Sequence, residues 1–346
     1  MAKISQYLDI ILEGKDLSFD QAKALLDIIF EGGVAEVQIA AFLAAMRVKK
    51  AAVSEMAGLA ASLREHAVKV ETGLDNLVDT CGTGGASVKT FNISTASALV
   101  AAGAGVYVAK HGNRGITSRC GSADVLTELG VNIAPGPEIV AQCIRQARIG
   151  FMFAPKFHPA MKHVQPIRQS LDFRTAFNIL GPLANPAGAA AQVMGVPEES
   201  LMGRIAETLK RLGVRRAMVV HSNGLDEIST MGPSLIMELR DGWIKNREIY
   251  PTDYGIEIAD YESLRGDDAA TNAGIIRQIL AGRETGPKKD IVVLNAAAAI
   301  IVAGLAEDFP DAVEKAEESI RLGKAQWSLD QLVRISNSQT ETTKTA

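Results

Sequence analysis

The sequence predicts an α/β protein in which a small all-helical domain precedes a larger α/β domain with a mainly parallel central sheet. Two observations support this fold class. Near the N-terminus apolar residues recur at helical spacing, as at Ile4, Tyr7, Leu8 and Ile11. Beyond Gly73, short β-prone runs alternate with Gly-rich turns and helical stretches, a pattern typical of a parallel sheet covered by helices.

Four helices are predicted in the first part of the chain. Gly14 ends the first helix, and Ser18 with Gln21 three positions later forms a capping-box pattern that opens the second. The third and fourth helices are predicted over Glu36–Val48 and Ser54–Ala67, and their Ala-rich faces suit close helix–helix contact. Together these four helices make a small all-α unit.

The remaining chain is predicted to form the sheet. The expected strands are Leu77–Cys81, Val106–Ala109, Ala217–His221, Ile236–Leu239 and Asp290–Leu294. We therefore divide the chain into a helical domain over residues 1–72 and an α/β domain over residues 73–346. Ligands of parallel sheets bind at the carboxyl ends of strands, so the Gly-rich loops that follow these strands are the places to expect a site.

Composition excludes several classes of protein. The 346 residues include 36 Lys and Arg against 40 Asp and Glu, so the net charge is −4, and only 5% are aromatic. This balance argues against a nucleic-acid-binding surface. Three cysteines without a C-x-x-C pair, and no signal peptide, indicate a reducing compartment. The longest apolar runs are too short to span a bilayer, so we expect a cytoplasmic protein with no membrane partner.

The strongest local signal is a glycine-rich loop that follows the first predicted strand. Gly82, Gly84 and Gly85 lead into Asn92-Ile93-Ser94-Thr95, which opens a helix. Backbone N–H groups of such a turn, together with a helix N-terminus, form an anion site for phosphate or diphosphate. The loop is neither a Walker A motif nor G-x-G-x-x-G. A tight strand-to-helix turn without a ligand is the alternative.

Two further motifs follow strands of the same predicted sheet. Lys110-His111-Gly112-Asn113-Arg114 places cations among glycines and hydroxyls, which suits phosphate oxygens, although a solvated basic loop is the alternative. Asp226-Glu227 is an adjacent acid pair that could share Mg²⁺ with substrate phosphates. The pair Asp267-Asp268 has no Gly-rich partner and is assigned to a solvated loop. The spacing of His158 and His163 does not favour a zinc site.

Taken together, these motifs resemble the anthranilate phosphoribosyltransferase family, within the nucleoside phosphorylase/phosphoribosyltransferase superfamily. The resemblance extends from Gln38-Ile39-Ala40-Ala41-Phe42-Leu43 through His158-Pro159-Ala160-Met161-Lys162 to Arg174-Thr175-Ala176-Phe177-Asn178 and Leu180-Gly181-Pro182-Leu183, so it covers nearly the whole chain. It implies transfer of phosphoribosyl from 5-phosphoribosyl 1-diphosphate to the amine of anthranilate, with release of diphosphate, in the second step of tryptophan synthesis from chorismate. It also implies two Mg²⁺ ions per monomer, a homodimer joined through the helical domain, and a segment near residues 165–183 that returns to that domain.

The resemblance also implies site residues. The substrate-binding residues it implies are Gly82, Gly85, Ala86, Thr90, Asn92, Ile93, Ser94, Thr95, Lys110, His111, Gly112, Asn113, Arg114, Gly115, Ile116, Thr117, Ser118, Ser122 and Arg168. Ser94, Asp226 and Glu227 would hold magnesium, and Lys110, His111 and Arg168 would be catalytic. Arg168 would fix the carboxylate of anthranilate, with Gly82 and Asn113 beside it, and His111 would either take the late proton or be structural.

One departure from the family pattern concerns the glycine-rich loop. The family usually has Asp-Gly where this chain has Ala86-Ser87, so a carboxylate that would alter the local charge at the diphosphate and metal is absent. Two alternatives remain open at this point. A pyrimidine nucleoside phosphorylase resembles the fold but has a different basic loop, and a non-catalytic nucleotide- or nucleic-acid-binding relative would keep the motifs without turnover.

Overall fold

A computed structural model describes residues 4–115 and 119–338. The helices over these ranges are α1 Ile4–Leu12, α2 Phe19–Glu31, α3 Glu36–Lys49, α4 Val53–Glu65, α5 Ile93–Gly103, α6 Ser122–Glu128, α7 Pro137–Ala147, α8 Ala154–Phe157, α9 Gln165–Leu171, α10 Phe177–Leu183, α11 Met202–Arg211, α12 Ala269–Leu280, α13 Pro287–Val302, α14 Phe309–Arg321 and α15 Lys324–Ser336. No helix among the described residues has both the length and the apolar character needed to cross a membrane.

The first four helices form as the sequence predicts. Ser18 caps α2, where its hydroxyl accepts the N–H of Gln21 and the Gln21 side chain accepts the N–H of Ser18, so the capping box is confirmed. α2 and α4 cross closely because Gly58 has no side chain: a Cβ there would lie 2.3 Å from the carbonyl oxygen of Phe19. These helices share one apolar core with residues of α9 and α10, among them Ile167 and Leu180.

The larger part of the chain is built on one seven-stranded sheet. Its strands are β1 Leu77–Gly82, β2 Tyr107–Gly112, β3 Ile149–Phe153, β4 Ala191–Gly195, β5 Arg216–His221, β6 Ser234–Arg240 and β7 Trp243–Ile249. The spatial order is β3-β2-β1-β4-β5-β6-β7, with the first five strands parallel and the last two antiparallel. The predicted α/β class with a mainly parallel sheet is therefore confirmed.

One predicted strand is wrong. Residues of Asp290–Leu294 lie within α13, whose residues from Ile291 to Val302 are all buried. A helix that is apolar on every side shows no amphipathic period, so its first residues look like a buried strand. Pro287 at the start of α13 and the alanines at 296–299 were the signals for a helix.

The order of the strands explains where a site can form. From β1 the chain adds β2 and β3 on one side of the sheet, and it then adds β4 and β5 on the other side. The strand order therefore reverses between β1 and β4, although these two strands are parallel. Loops on either side of such a point diverge and leave a crevice at the carboxyl ends of the strands. The loops after β1, β2 and β5 all leave from this edge, and they carry the three motifs singled out in the sequence.

Candidate active site

A cleft of about 800 Å³ lies at this edge of the sheet. One side is made by the ends of β1 and β2 and by the loop after β5. The other side is made by residues 158–184, which pack against the first four helices. The cleft therefore lies between the two halves of the chain, and polar groups of the sheet face a wall that includes Phe177 and Pro182.

The glycine-rich loop after β1 forms one end of the cleft. Gly84 and Gly85 have φ of 66° and 86°, a region that glycine enters without strain. The N–H of Gly84 donates to Oδ2 of Asp226 at 3.2 Å, and the N–H of Ser87 donates to the carbonyl of Gly224 at 3.1 Å. The loop after β5 thus accepts hydrogen bonds from two backbone N–H groups of the glycine-rich loop and fixes its position.

A pair of glycines makes room for Asp226. Gly82 ends β1 and Gly195 ends β4, and the two are partners in the parallel ladder. A Cβ on Gly82 would lie 2.4 Å from Oδ2 of Asp226, and a Cβ on Gly195 would lie 1.7 Å from the carbonyl oxygen of Asp226. The loop after β5 therefore lies directly across the ends of these two central strands.

The acid pair of this loop is half-buried among polar groups. Burial raises the pKa of Asp226, and burial together with the charge of Asp226 raises the pKa of Glu227 to about 8. From behind, the amide of Asn295 accepts the N–H of Ile228 at 2.9 Å and donates to the carbonyl of Ile228 at 2.8 Å. The helix α13 thereby fixes the residue next to the acid pair.

These residues fit a magnesium site. Two adjacent, half-buried carboxyls that face the cleft suit a cation, and Ser94, whose backbone N–H donates to Glu227, adds a hydroxyl beside them. Among the described residues no cluster of three or more His, Cys, Asp or Glu side chains could hold a metal ion. That agrees with Mg²⁺, which takes one or two carboxylates and completes its octahedron with water and substrate phosphates.

Lys110 is a buried cation beneath the cleft. The residue is only 2% exposed, and Nζ donates to the carbonyl of Thr80 at 2.5 Å and to Oγ of Ser94 at 3.4 Å. Burial lowers its pKa, although the nearby charge of Asp79 opposes this effect. Burial raises the pKa of Asp79 to about 6, and its carboxylate accepts the N–H of His111 and the amide of Asn185.

Two neutral imidazoles lie together in the cleft, one from each of its sides. The rings of His111 and His158 are 5.0 Å apart, and burial lowers their pKa values to about 3 and about 4. Nδ1 of His111 lies 3.2 Å from the carbonyl oxygen of Gly181, which can only accept, so this nitrogen carries the proton. Nε2 then carries a lone pair, and it has no hydrogen-bond partner among the described residues.

Lowering the pH from 7.5 to 5 is expected to reduce the free energy of unfolding by about 2 kcal/mol for each of these histidines. In this range the folded chain keeps both rings neutral, whereas in the unfolded chain, with an ordinary pKa near 6.5, they take up protons. The contribution of the two histidines to stability is therefore lost as the pH falls, whereas the raised pKa values of Asp79 and Glu227 act in the opposite direction, so the effect is read from the difference between the protein and the variant. Urea unfolding at both pH values measures the effect. Equal losses in the protein and in its His111→Gln/His158→Gln variant would contradict it.

Arg168 lies on the same side of the cleft as His158, within the segment that packs with the first helices. Its guanidinium is 5.4 Å from the centre of the Phe177 ring, and Nη1 donates to Oε1 of Gln165 at 3.1 Å. Burial lowers its pKa from the ordinary value of a guanidinium. A planar cation beside an aromatic ring suits a small aromatic carboxylate.

Most of the residues proposed from the sequence converge on this cleft. Those that line it are Gly82, Gly85, Asn92, Ser94, Thr95, Lys110, His111, Gly112, Asn113, Arg114, Gly115, Ser122, Arg168, Asp226 and Glu227. Ala86, Thr90 and Ile93 are not among the lining residues: Ala86 and Ile93 are buried, and Thr90 forms an isolated bridge with Arg265. Ile116, Thr117 and Ser118 lie outside the described residues.

Several lining residues were not proposed from the sequence. They include His158, Gln165, Arg174, Phe177 and Asn178. All come from the segment that returns to the first helices, far along the chain from the three motifs. The only signal for them was that they lie in stretches that resemble the family, because nothing in their local spacing points to a ligand.

Comparisons with known proteins agree with this arrangement. A family described as "Glycosyl transferase family, helical bundle domain" matches residues 5–67, and one described as "Glycosyl transferase family, a/b domain" matches residues 74–326. The anthranilate phosphoribosyltransferase of Desulfatibacillum aliphaticivorans is 48% identical over 332 residues, which cover 96% of this chain and 98% of that protein.

Solved structures with the same fold include two such enzymes. The crystal structure of anthranilate phosphoribosyltransferase from Thermus thermophilus superimposes with a TM-score of 0.91 at 38% identity, covering 96% of this chain and 99% of that one. The Saccharomyces cerevisiae enzyme in complex with PRPP and Mg has a TM-score of 0.88 at 27% identity, covering 97% and 98%.

Proposed function

Because the chain belongs to the anthranilate phosphoribosyltransferase family, we propose how its residues transfer a phosphoribosyl group from 5-phosphoribosyl 1-diphosphate to the amine of anthranilate. The observation that carries the assignment is the composition of one cleft. It joins a glycine-rich anion loop and a half-buried acid pair at one end to Arg168 and Phe177 at the other. The first end thus suits an anionic sugar phosphate, and the second end suits an aromatic carboxylate.

The end of the cleft near β1 and β2 binds the phosphoribosyl diphosphate in this proposal. Gly82 and Gly85 leave room for the side chains of Asp226 and Arg174 beside the bound substrate, and the N-terminus of α5 at Asn92-Ile93-Ser94-Thr95 adds N–H donors. Residues 110–115, together with Ser122, supply donors from the end of β2. Ala86, Thr90, Ile93 and residues 116–118 remain part of the proposed binding set.

Ser94, Asp226 and Glu227 hold magnesium in this proposal, with two ions per monomer. Bound Mg²⁺ would neutralise the diphosphate as it leaves. Because only two carboxylates serve both ions, most of the remaining ligands are phosphate oxygens and water, so the site is complete only when the sugar phosphate is bound. The acid pair therefore links metal binding to substrate binding.

The other end of the cleft orients anthranilate. The aromatic amine is neutral at pH 7, so its lone pair can attack C1 of the ribose without prior removal of a proton. Arg168 holds the carboxylate through two parallel hydrogen bonds, and Gly82 and Asn113 border the ring. Nε2 of His111 is a neutral, buried acceptor on the facing side of the cleft, and in this proposal it accepts the proton that the nitrogen sheds after bond formation.

The main task of the protein is thus to position the substrates and to exclude water. Breaking the bond from C1 to the diphosphate leaves positive charge on the sugar, which water would otherwise capture. Lys110 hydrogen-bonds to Ser94 and to Thr80 of β1. From there its charge stabilises the negative charge that develops on the leaving diphosphate. Closure of the two walls of the cleft over both substrates completes the exclusion of water.

Arg168→Ala is expected to raise the KM for anthranilate roughly 100-fold, because a two-point, charge-assisted contact is lost. The KM for 5-phosphoribosyl 1-diphosphate should change less than threefold. Initial rates with one substrate varied at saturating levels of the other measure both values. A KM for anthranilate within threefold of the parent would show that another residue binds the carboxylate.

The function itself is tested by the loss of anthranilate fluorescence when the protein, 5-phosphoribosyl 1-diphosphate and Mg²⁺ are mixed. We expect a decay that stops on addition of a chelator and resumes with excess Mg²⁺. Absence of decay, combined with phosphate-dependent cleavage of a pyrimidine nucleoside, would favour the phosphorylase instead. Absence of both, with retained binding of the sugar phosphate, would indicate a non-catalytic relative.

Three further features belong to this proposal. The helical domain comprises residues 1–72 together with the segment 165–183, and the α/β domain comprises the rest. The protein acts in the cytoplasm as a homodimer joined through the helical domain, whose small apolar faces suit such contact. Sedimentation of the protein, and of a variant with charges on α1 and α3, tests the dimer.

A further inference from the structure

Arg174 reaches from the returning segment to the glycine-rich loop. It lies between α9 and α10, and its Nη2 donates to the carbonyl of Gly84 at 2.9 Å and to that of Thr83 at 3.4 Å. A Cβ on Gly85 would lie 1.8 Å from Nη1 of Arg174. The guanidinium therefore fills the space that a glycine leaves open above the anion loop.

The charge of Arg174 is not paired with an acidic side chain in the part of the chain that the structure describes. Three arginines line the cleft within residues 4–115 and 119–338. Arg114 forms an ion pair with Asp124 at 2.7 Å, and Arg168 lies against Phe177 at the anthranilate end. Arg174 forms no direct ion pair within the same residues: its hydrogen-bond partners are two carbonyl oxygens, and its charge acts on the Asp226 carboxyl only from beyond ion-pair distance.

Its position identifies which substrate it faces. Both backbone groups of Gly84 are held: its N–H donates to Asp226, and its carbonyl accepts from Arg174. The guanidinium is thus next to the acid pair and the turn of the anion loop. Residue 86 of the glycine-rich loop is alanine, so this position offers no carboxylate to the guanidinium.

We propose that Arg174 binds the diphosphate group of the sugar substrate, exchanging the two carbonyls for phosphate oxygens when that substrate arrives. The proposal rests on the function proposed above. A guanidinium presents two parallel donors that match a phosphate group. Because Arg174 lies on the segment that packs against α3 and α4, binding of diphosphate also draws that wall of the cleft toward the sheet.

The test measures binding of inorganic diphosphate in the presence of Mg²⁺ by titration calorimetry, so it does not depend on turnover. We expect Arg174→Gln to raise the Kd roughly 30-fold and Arg174→Lys to raise it roughly fivefold, because lysine keeps the charge without the fork. The KM for the sugar substrate should rise in parallel, with the KM for anthranilate within twofold. The matched control is Arg277→Gln, since Arg277 also donates to a backbone carbonyl, that of Glu128, away from the cleft.

Salt separates direct contact from support of the loop. A direct contact predicts that the diphosphate Kd of Arg174→Gln depends less steeply on KCl concentration than that of the parent. The same steepness with weaker binding would mean that Arg174 only shapes the loop, and the proposal would be wrong. An unchanged Kd, or a rise confined to the KM for anthranilate, would also overturn it.

Two further results keep the outcomes distinct. If Arg174→Gln does not fold, as judged by thermal unfolding, the Lys variant decides, and a Kd equal to that of the parent overturns the proposal. If the parent binds diphosphate through Arg174 but consumes no anthranilate, the proposed function fails while this assignment stands.

Discussion

The double variant Asp226→Ala/Glu227→Ala is expected to lose metal-dependent consumption of anthranilate, with kcat/KM reduced roughly 1000-fold or more. Both side chains are half-buried beside the anion loop, and no third acidic side chain among the described residues joins them. Without them a dication would be held by substrate phosphates alone. The measurement is the fluorescence decay over a range of Mg²⁺ concentrations.

Stability distinguishes this outcome from misfolding. Burial raises the pKa of both acids, so their charged forms are not favoured by the fold in the absence of a metal. Removing them should leave the Tm without Mg²⁺ equal to or above that of the parent, while Mg²⁺ with diphosphate should no longer raise it. Glu198→Ala/Glu199→Ala is the matched control, since this adjacent pair is exposed outside the cleft. Retained Mg²⁺-dependent activity in the Asp226/Glu227 variant would refute the assignment.

Gly195→Ala is expected to lower kcat/KM roughly 100-fold or more while the protein still folds. The added Cβ would lie 1.7 Å from the carbonyl oxygen of Asp226, which is backbone and has no alternative rotamer. The loop with the acid pair must therefore move by an ångström or more, and displacements of that size at reacting groups cost about two orders of magnitude in rate. The carbonyl of Gly195 also holds the N–H of Thr83, so the anion loop shifts as well.

The control for this change is Gly203→Ala in α11. A Cβ there would lie 3.8 Å from the nearest atom, Cε of Met237, which is an ordinary contact. This variant should keep the parent activity and gain slightly in stability, because alanine is favoured over glycine in a helix. Both variants are assayed at saturating Mg²⁺ and compared by thermal unfolding. Parent-like rates in Gly195→Ala would show that the loop after β5 tolerates displacement.

Local patterns in the sequence predicted the parts of the fold that depend on local interactions. The capping box at Ser18 and Gln21 formed as predicted, because both of its hydrogen bonds join residues three positions apart. The strand β4 was missed because Ala191–Gly195 has little intrinsic β preference, and its place between β1 and β5 is set by distant parts of the chain. β3 and β7 were missed too.

The same distinction holds for the site. The glycine-rich loop and Asp226-Glu227 could be proposed because each follows a strand, and parallel strands bring their carboxyl ends to one edge. Two other contacts could not be proposed from the sequence: that of Gly195 with the backbone of Asp226, and that of Gly85 with the side chain of Arg174. They join residues 31 and 89 positions apart and depend on gaps of a few ångströms. Such fits are properties of packing, which no single segment encodes.

Because the Asn295 side chain is hydrogen-bonded to the backbone of Ile228, the loop that carries the acid pair becomes ordered during folding and not during cation binding. Both polar groups of the Ile228 backbone are satisfied by one amide on a helix buried along nearly its whole length, so the loop is immobilised as the protein folds. The entropy lost in arranging the residue next to the acid pair belongs to folding and does not weaken the capture of a cation. A dication arriving at the cleft therefore meets a prearranged backbone, and its association rate is set by diffusion and by loss of its own water.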